Sequence, residues 1–197
     1  MSASDRPFYE QAWPDGEYRL FQIGVVVDEL LAACADFARV FRVGPFHVFP
    51  RIETACWYRG TDTAVDLQIA VAQAGPVQFE LIQQHCDRPS VYRELAGAGT
   101  RIHQLCTITS EYQAKKAWYE SLGYPLVSEM FVRGQHVGFV DTFADFGFYT
   151  ELAEDVPGFV EGLTRVARTC AGWDGATDPV RILTKDGYRV PDATTGG

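Results

Sequence analysis

The chain has 197 residues, of which 47% are hydrophobic and 22% charged, and its formal net charge is −9. That length supports one sizeable core, or two small ones sharing an interface. The acidic balance argues against nucleic acid and anionic membrane surfaces as partners, because both demand a basic face, and no run of about 18 apolar residues offers a membrane-spanning helix.

Residues 1–17 carry no regular pattern and no basic-then-apolar signal, so they read as an irregular arm of a cytoplasmic protein. RLFQIGVVVD alternates and is rich in β-branched residues, as a strand does. In the segment that follows, Leu30, Cys34, Phe37 and Phe41 recur at helical spacing, with Asp28 as the expected N-cap and Gly44-Pro45 as the stop. Three strand-like runs come next, ETACWYRG, TAVDLQIAVAQ and PVQFELIQQ, separated by turns at Gly60 with Asp62 and at Gly75-Pro76. Residues 85–99 are expected to form a helical bridge.

The order then begins again. TRIHQLCTIT is a strand, SEYQAKKAWYESLGY a helix closed by Gly123, and LVSEMFVRG, QHVGFVDTF and FGFYTELAE are strands. A helix is expected from about Pro157 to Cys170, followed by a short strand-like piece and a loose end. The five cysteines are scattered with no CxxC pair, which points to reduced thiols and away from a thiolate zinc site.

The pattern is βαβββ, twice, and an internal repeat of this length implies one architecture built from two similar units. The halves can be superposed without gaps so that Gln22 falls on His103, Val27 on Ile108, Phe37 on Trp118 and Phe41 on Leu122, with Phe79-Glu80-Leu81 meeting Thr150-Glu151-Leu152. Gln22, His103, Glu80 and Glu151 all sit among apolar neighbours on strands, which turn alternate side chains to one face. Any one of them alone is better read as a satisfied core group or a solvent-facing side chain. Together they pose a problem, since a buried carboxylate without a partner costs several kcal/mol or neutralises itself. A divalent cation resolves it: two carboxylates balance its charge, and an imidazole nitrogen and an amide oxygen complete the shell. Mixed nitrogen and oxygen donors suit zinc, nickel, cobalt, manganese or ferrous iron.

The motifs FQIGVVV, VQFELI, RIHQLCTIT and YTELAE, in this order, with LGY ending the second helix, resemble those of the vicinal oxygen chelate superfamily, which includes glyoxalases, epimerases, bleomycin-resistance proteins and extradiol dioxygenases. The resemblance covers about residues 18–154. It implies an α+β fold, two βαβββ modules forming a curved incomplete barrel, here with an added C-terminal helix. The expected divisions are the arm at 1–17, a first module at 18–95, a second at 96–154, and the helix and tail at 155–197. The metal ligands it implies are Gln22, Glu80, His103 and Glu151, a set similar to that of eukaryotic glyoxalase I; the epimerase branch typically has His where Gln22 stands and Gln where Glu80 stands. Val26 takes the place of an arginine that holds glutathione in glyoxalase I, which counts against glutathione here.

By the same resemblance the metal coordinates a substrate's oxygen atoms, and a carboxylate beside it moves a proton at the adjacent carbon. Glu151 is the first candidate for that base and Glu80 the second. Alternation places Tyr149 on the face of Glu151 and His136 inward with Gly138 and Val140, so both are candidate pocket residues. The 13% aromatic content suits a large apolar cavity. The expected protein is a metal-dependent isomerase, epimerase or lyase acting on a largely apolar small molecule, assembled as a homodimer. The alternatives are a metal-free binding or resistance protein for a hydrophobic ligand, and an iron-dependent ring-cleaving dioxygenase.

Overall fold

A computed structural model describes residues 19–95 and 99–192; the expected N-terminal arm lies outside the described residues. The first unit runs β1 (Arg19–Val26), α1 (Leu30–Phe41), β2 (Phe46–Val48), β3 (Ile52–Tyr58), β4 (Thr61–Ala74) and β5 (Val77–Gln84). The second runs β6 (Arg101–Thr109), α2 (Tyr112–Ser121), β7 (Leu126–Val132), β8 (Gln135–Val140), the single turn α3 (Phe143–Phe146) and β9 (Tyr149–Glu154). The chain ends in α4 (Phe159–Ala171) and a hairpin, β10 (Val180–Thr184) and β11 (Gly187–Arg189).

The strands make one curved, barrel-like sheet. β1 lies antiparallel to β6 at the centre, with β5 parallel to β1 and β9 parallel to β6 on its flanks. β4 and β3 continue from β5, and β8 and β7 from β9. β3 and β7 then meet over only Cys56–Tyr58 against Ser128–Met130, so the remainder of that seam is unpaired and the barrel is incompletely closed. The short β2, which the sequence pattern did not reveal, pairs with β4 and carries the C-terminal hairpin on its other edge through β10.

Alternation along β1 sets the layers. Val25 and Val27 pack with Leu30 and Cys34 of α1 and with Phe46, Val48 and Leu81 outside the barrel. Val26 faces inward, with Leu67, Ile82, Tyr92, Met130, Phe139 and Tyr149. On the second unit Tyr112 and Tyr119 of α2 cover Leu126, Val140 and Leu152 from outside.

Two local expectations change. The N-cap position of α1 is Glu29 in place of Asp28, and the Leu30 N–H donates to Gln83 Oε1 at 3.0 Å, so a β5 side chain satisfies a donor of the helix start. Among its described residues the bridge after β5 holds a 3-10 turn, Arg93–Leu95, in place of an α-helix. There the Gln84 amide donates to the Cys86 and Arg88 carbonyl oxygens while the Ser90 hydroxyl bonds back to Gln84, local bonds that compete with a helical ladder.

Candidate functional site

The inner face of the barrel and α4 enclose a cavity of about 660 Å³. Its wall is mostly apolar, with Phe21, Phe49, Ile52, Leu67, Ile69 and Val137 among the lining side chains. Gln22, Gln78, Glu80 and Glu151 gather on the barrel side of the cavity.

Two bulges place these groups. In the β1–β6 ladder, Leu20 pairs with Thr107 and Gln22 with Cys106, leaving Phe21 over; Gly24 pairs with Gln104 and Val25 with Ile102, leaving His103 over. An extra residue in one strand resets the alternation beyond it. The ladder therefore relates Gln22 to Gln104 and Gly24 to Cys106, because the pairs Gln22–Cys106 and Gly24–Gln104 exchange under the pseudo-twofold. The ungapped superposition of Gln22 on His103 is off by one residue. Gln104 and Cys106, not His103, Leu105 and Thr107, face the carboxylates.

Gln104 joins what the sequence analysis had treated separately. Its Nε2 donates to Glu80 Oε2 and to Glu151 Oε2, each at 3.1 Å, and its Oε1 meets His103 Nδ1 in a short hydrogen bond. Gly24 faces it so closely that an added Cβ would stand 2.1–2.5 Å from its amide atoms. Gln22 Nε2 donates to Gln78 Oε1 at 2.8 Å, which leaves the buried Gln78 Nε2 without a hydrogen-bond partner.

Burial dominates the electrostatics. It pushes the Glu151 carboxyl up to about 7, against which hydrogen bonds from Cys106 and Gln104 pull it down. Glu80 is raised well above the ordinary carboxylate range, first by burial and then by the charge of Glu151. Both shifts favour the protonated form of the pair. Burial lowers His103 to about 4, so its ring is neutral.

Of the residues expected here, Gln22, Glu80 and Glu151 line the cavity. His103 does not; its fully buried ring is stacked on Tyr92 at 5.0 Å and tilted against Tyr149 at 5.1 Å, and it touches the carboxylates only through Gln104. Tyr149 keeps the strand face of Glu151 but lies beneath the cavity, where its hydroxyl donates to Glu94 Oε2. His136 points the other way. Its neighbours Gln135 and Val137 line the cavity, and the His136 ring stacks on Tyr112 of α2 at 5.1 Å on the outer side. Gln104, Gln78 and Tyr92 are the site residues that sequence reasoning missed. A signal for Gln104 existed: FQIG set against HQLC superposes two glutamines.

Among the described residues no three His, Cys, Asp or Glu side chains cluster so as to hold a metal ion. A cation at this site would depend on amide oxygens as well. Gln22, Glu80, Gln104 and Glu151 fit that demand: each carries oxygen donors, and a buried and a half-buried acidic group joined by one amide are the charge pattern a divalent cation relieves. With His103 displaced, the donors are all oxygen, which suits magnesium, manganese or calcium better than zinc or nickel.

The sequence from 21 to 140 matches the family model of the glyoxalase/bleomycin resistance protein/dioxygenase superfamily. No curated protein matches the chain. Among solved structures, methylmalonyl-CoA epimerase from Mycobacterium tuberculosis is similar at a TM-score of 0.52 and 18% identity, over 76% of this chain and 97% of that one. A Streptomyces coelicolor methylmalonyl-CoA epimerase variant in complex with 2-nitronate-propionyl-CoA gives 0.52 and 18%, over 72% and 97%. A hypothetical protein of Bacillus halodurans C-125 gives 0.52 and 14%, over 71% and 95%. At such identities these likenesses speak to the fold alone, and they agree with the paired βαβββ units. The family model spans more than half of the residues, and the chain belongs to the glyoxalase/bleomycin resistance protein/dioxygenase superfamily.

Proposed function

We propose that this protein is a metal-dependent isomerase or epimerase, or a lyase of the same chemistry, that moves a proton beside a carbonyl group of a largely apolar small molecule. The observation that carries the reading is the meeting of Glu80 and Glu151 at the Gln104 amide, on the wall of an apolar cavity. A divalent cation held by Gln22, Glu80, Gln104 and Glu151 would supply Lewis-acid polarisation of the substrate carbonyl.

The chain's own residues do the rest. With a cation bound both carboxylates would be ionised, so Glu151 can take a proton from the carbon next to the carbonyl and return it to the product carbon, and Glu80 can share that transfer. In this proposal Glu151 is the first base and Glu80 the second, both on the cavity wall. The Gln104 N–H groups orient both carboxylates. The apolar wall excludes water and receives the body of the substrate. The CoA-linked ligand of the similar epimerase is one candidate within this class. Assembly as a homodimer belongs to the same proposal, and exposed Trp118, Leu122, Phe131 and Phe146 on the second unit are apolar surface available for it.

The test is solvent deuterium exchange at the carbon beside the carbonyl, followed by proton NMR on a panel of apolar ketones, hydroxyketones and acyl thioesters with manganese or magnesium present. Wild-type protein should catalyse exchange in at least one class, and Glu151→Gln should slow it by about 100-fold or more. Exchange that survives in a Glu80→Gln/Glu151→Gln protein would overturn the proposal. The same apolar wall also favours a second reading, a carrier or resistance protein; it predicts ligands that bind without exchange and are held equally well by Glu151→Gln.

A further inference from the structure

Between Phe159 and Thr169, helix α4 turns one face toward the barrel: Phe159, Gly162, Leu163, Val166 and Thr169 all line the cavity. That spacing is a single stripe of a helix. The helix is anchored at both ends. Phe159 meets Phe21 edge-on at 6.0 Å, and Leu163 packs with Cys106, Ile108 and Ala153. At the far end Cys170 Sγ accepts the Gln73 backbone N–H at 3.2 Å. Between these anchors the helix spans open volume.

Gly162 is the anomaly in that span. Its N–H donates to the Gly158 carbonyl at 3.0 Å, so it lies in regular helix. A glycine there costs about 1 kcal/mol relative to alanine, which ordinarily needs a compensating reason. Close packing is not that reason, because an added Cβ would meet nothing nearer than Arg165 Nη2 at 3.8 Å. Arg165 also lines the cavity, with its guanidinium ion-paired to Glu161 at 2.9 Å. The missing side chain leaves space on the cavity side of the helix.

We infer that α4 is the roof of a substrate chamber and that Gly162 keeps open the part of it that receives the apolar body of a compact, ring-sized ligand. This rests on the same cavity as the proposed function and names its substrate class: a molecule that fits within about 660 Å³, between the carboxylate pair on one wall and the helix on the other. Side-chain size at Gly162 thus sets which ligands are accepted.

The test uses N-phenyl-1-naphthylamine, a neutral apolar fluorophore, titrated into the full-length protein. Wild-type protein should bind it with enhanced emission. Gly162→Trp should weaken binding at least tenfold with no loss of thermal stability, and Gly162→Ala should bind as wild type does. Val166→Trp, one turn along the same stripe, serves if Gly162→Trp does not fold, and should weaken binding likewise. Unchanged affinity in a folded Trp variant, or no binding to the wild type, overturns the inference. Probe binding needs no chemistry. Size-sensitive binding without deuterium exchange would leave the roof standing and remove the isomerase, whereas exchange with size-insensitive binding would do the reverse.

Discussion

Gln104 occupies its central place because Gly24, across the β1–β6 ladder, has no side chain. An alanine at Gly24 would put a methyl within 2.5 Å of all three Gln104 amide heavy atoms, and Gln104 cannot yield without releasing both glutamates and His103. The buried Glu151 and His103 and the half-buried Glu80 would then lose their partner, each buried group at a cost of about 1–3 kcal/mol less whatever relaxation recovers. Gly24→Ala should therefore lower the free energy of unfolding in urea by about 2 kcal/mol and weaken manganese binding by calorimetry. A variant as stable as wild type and equally avid for manganese would mean that Gln104 is a spectator. At this scale the glutamates were legible, since a charged residue amid apolar strand neighbours demands an explanation. The step from His103 to Gln104 was not, because two adjacent polar residues look alike until the bulge decides which one turns inward.

At the scale of elements, period and punctuation were the legible features. The helices α1, α2 and α4, and most of the strands around them, fall where periodicity and glycine turns place them. What the pattern hid were features made by distant partners. β2 is three residues long and exists because β4 and β10 flank it. The bulges at Phe21 and His103 exist because β1 and β6 pair across the pseudo-twofold. The start of α1 is another such case: Gln83, 53 residues away, accepts the Leu30 N–H and donates to the Asp28 carbonyl. Gln83→Leu should cost about 1 kcal/mol, the usual effect of losing a helix cap. Denaturant unfolding would show it as a lowered midpoint with unchanged slope. No change in midpoint would show that water replaces Gln83 at no cost.

For the molecule as a whole, closing a sheet around two carboxylates makes stability depend on pH. In the unfolded chain both glutamates titrate near their ordinary value of 4.5. In the folded chain Glu151 releases its proton at about 7, and Glu80 well above the ordinary range. Between those limits the folded state holds more protons than the unfolded one, so stability falls as pH rises. The contribution is fully present below about pH 4.5 and is lost as pH passes about 7, on the order of a few kcal/mol for the pair. The proposed divalent cation would act in the opposite sense: it would bind the ionised pair in the folded state alone, and at about 100 times its dissociation constant would add about 2.7 kcal/mol. Relative to Glu80→Gln/Glu151→Gln, chelator-treated wild-type protein should therefore melt at progressively lower temperature from about pH 5 to pH 8, and saturating manganese should restore the loss most fully at the alkaline end. Glu80→Gln/Glu151→Gln should keep only the opposite trend of the buried His103, whose lowered value favours the folded state as pH rises, and should ignore manganese. If the wild type and that double variant share one pH profile, the buried pair does not govern the fold's proton balance, and the charge argument for a cation at this site fails with it.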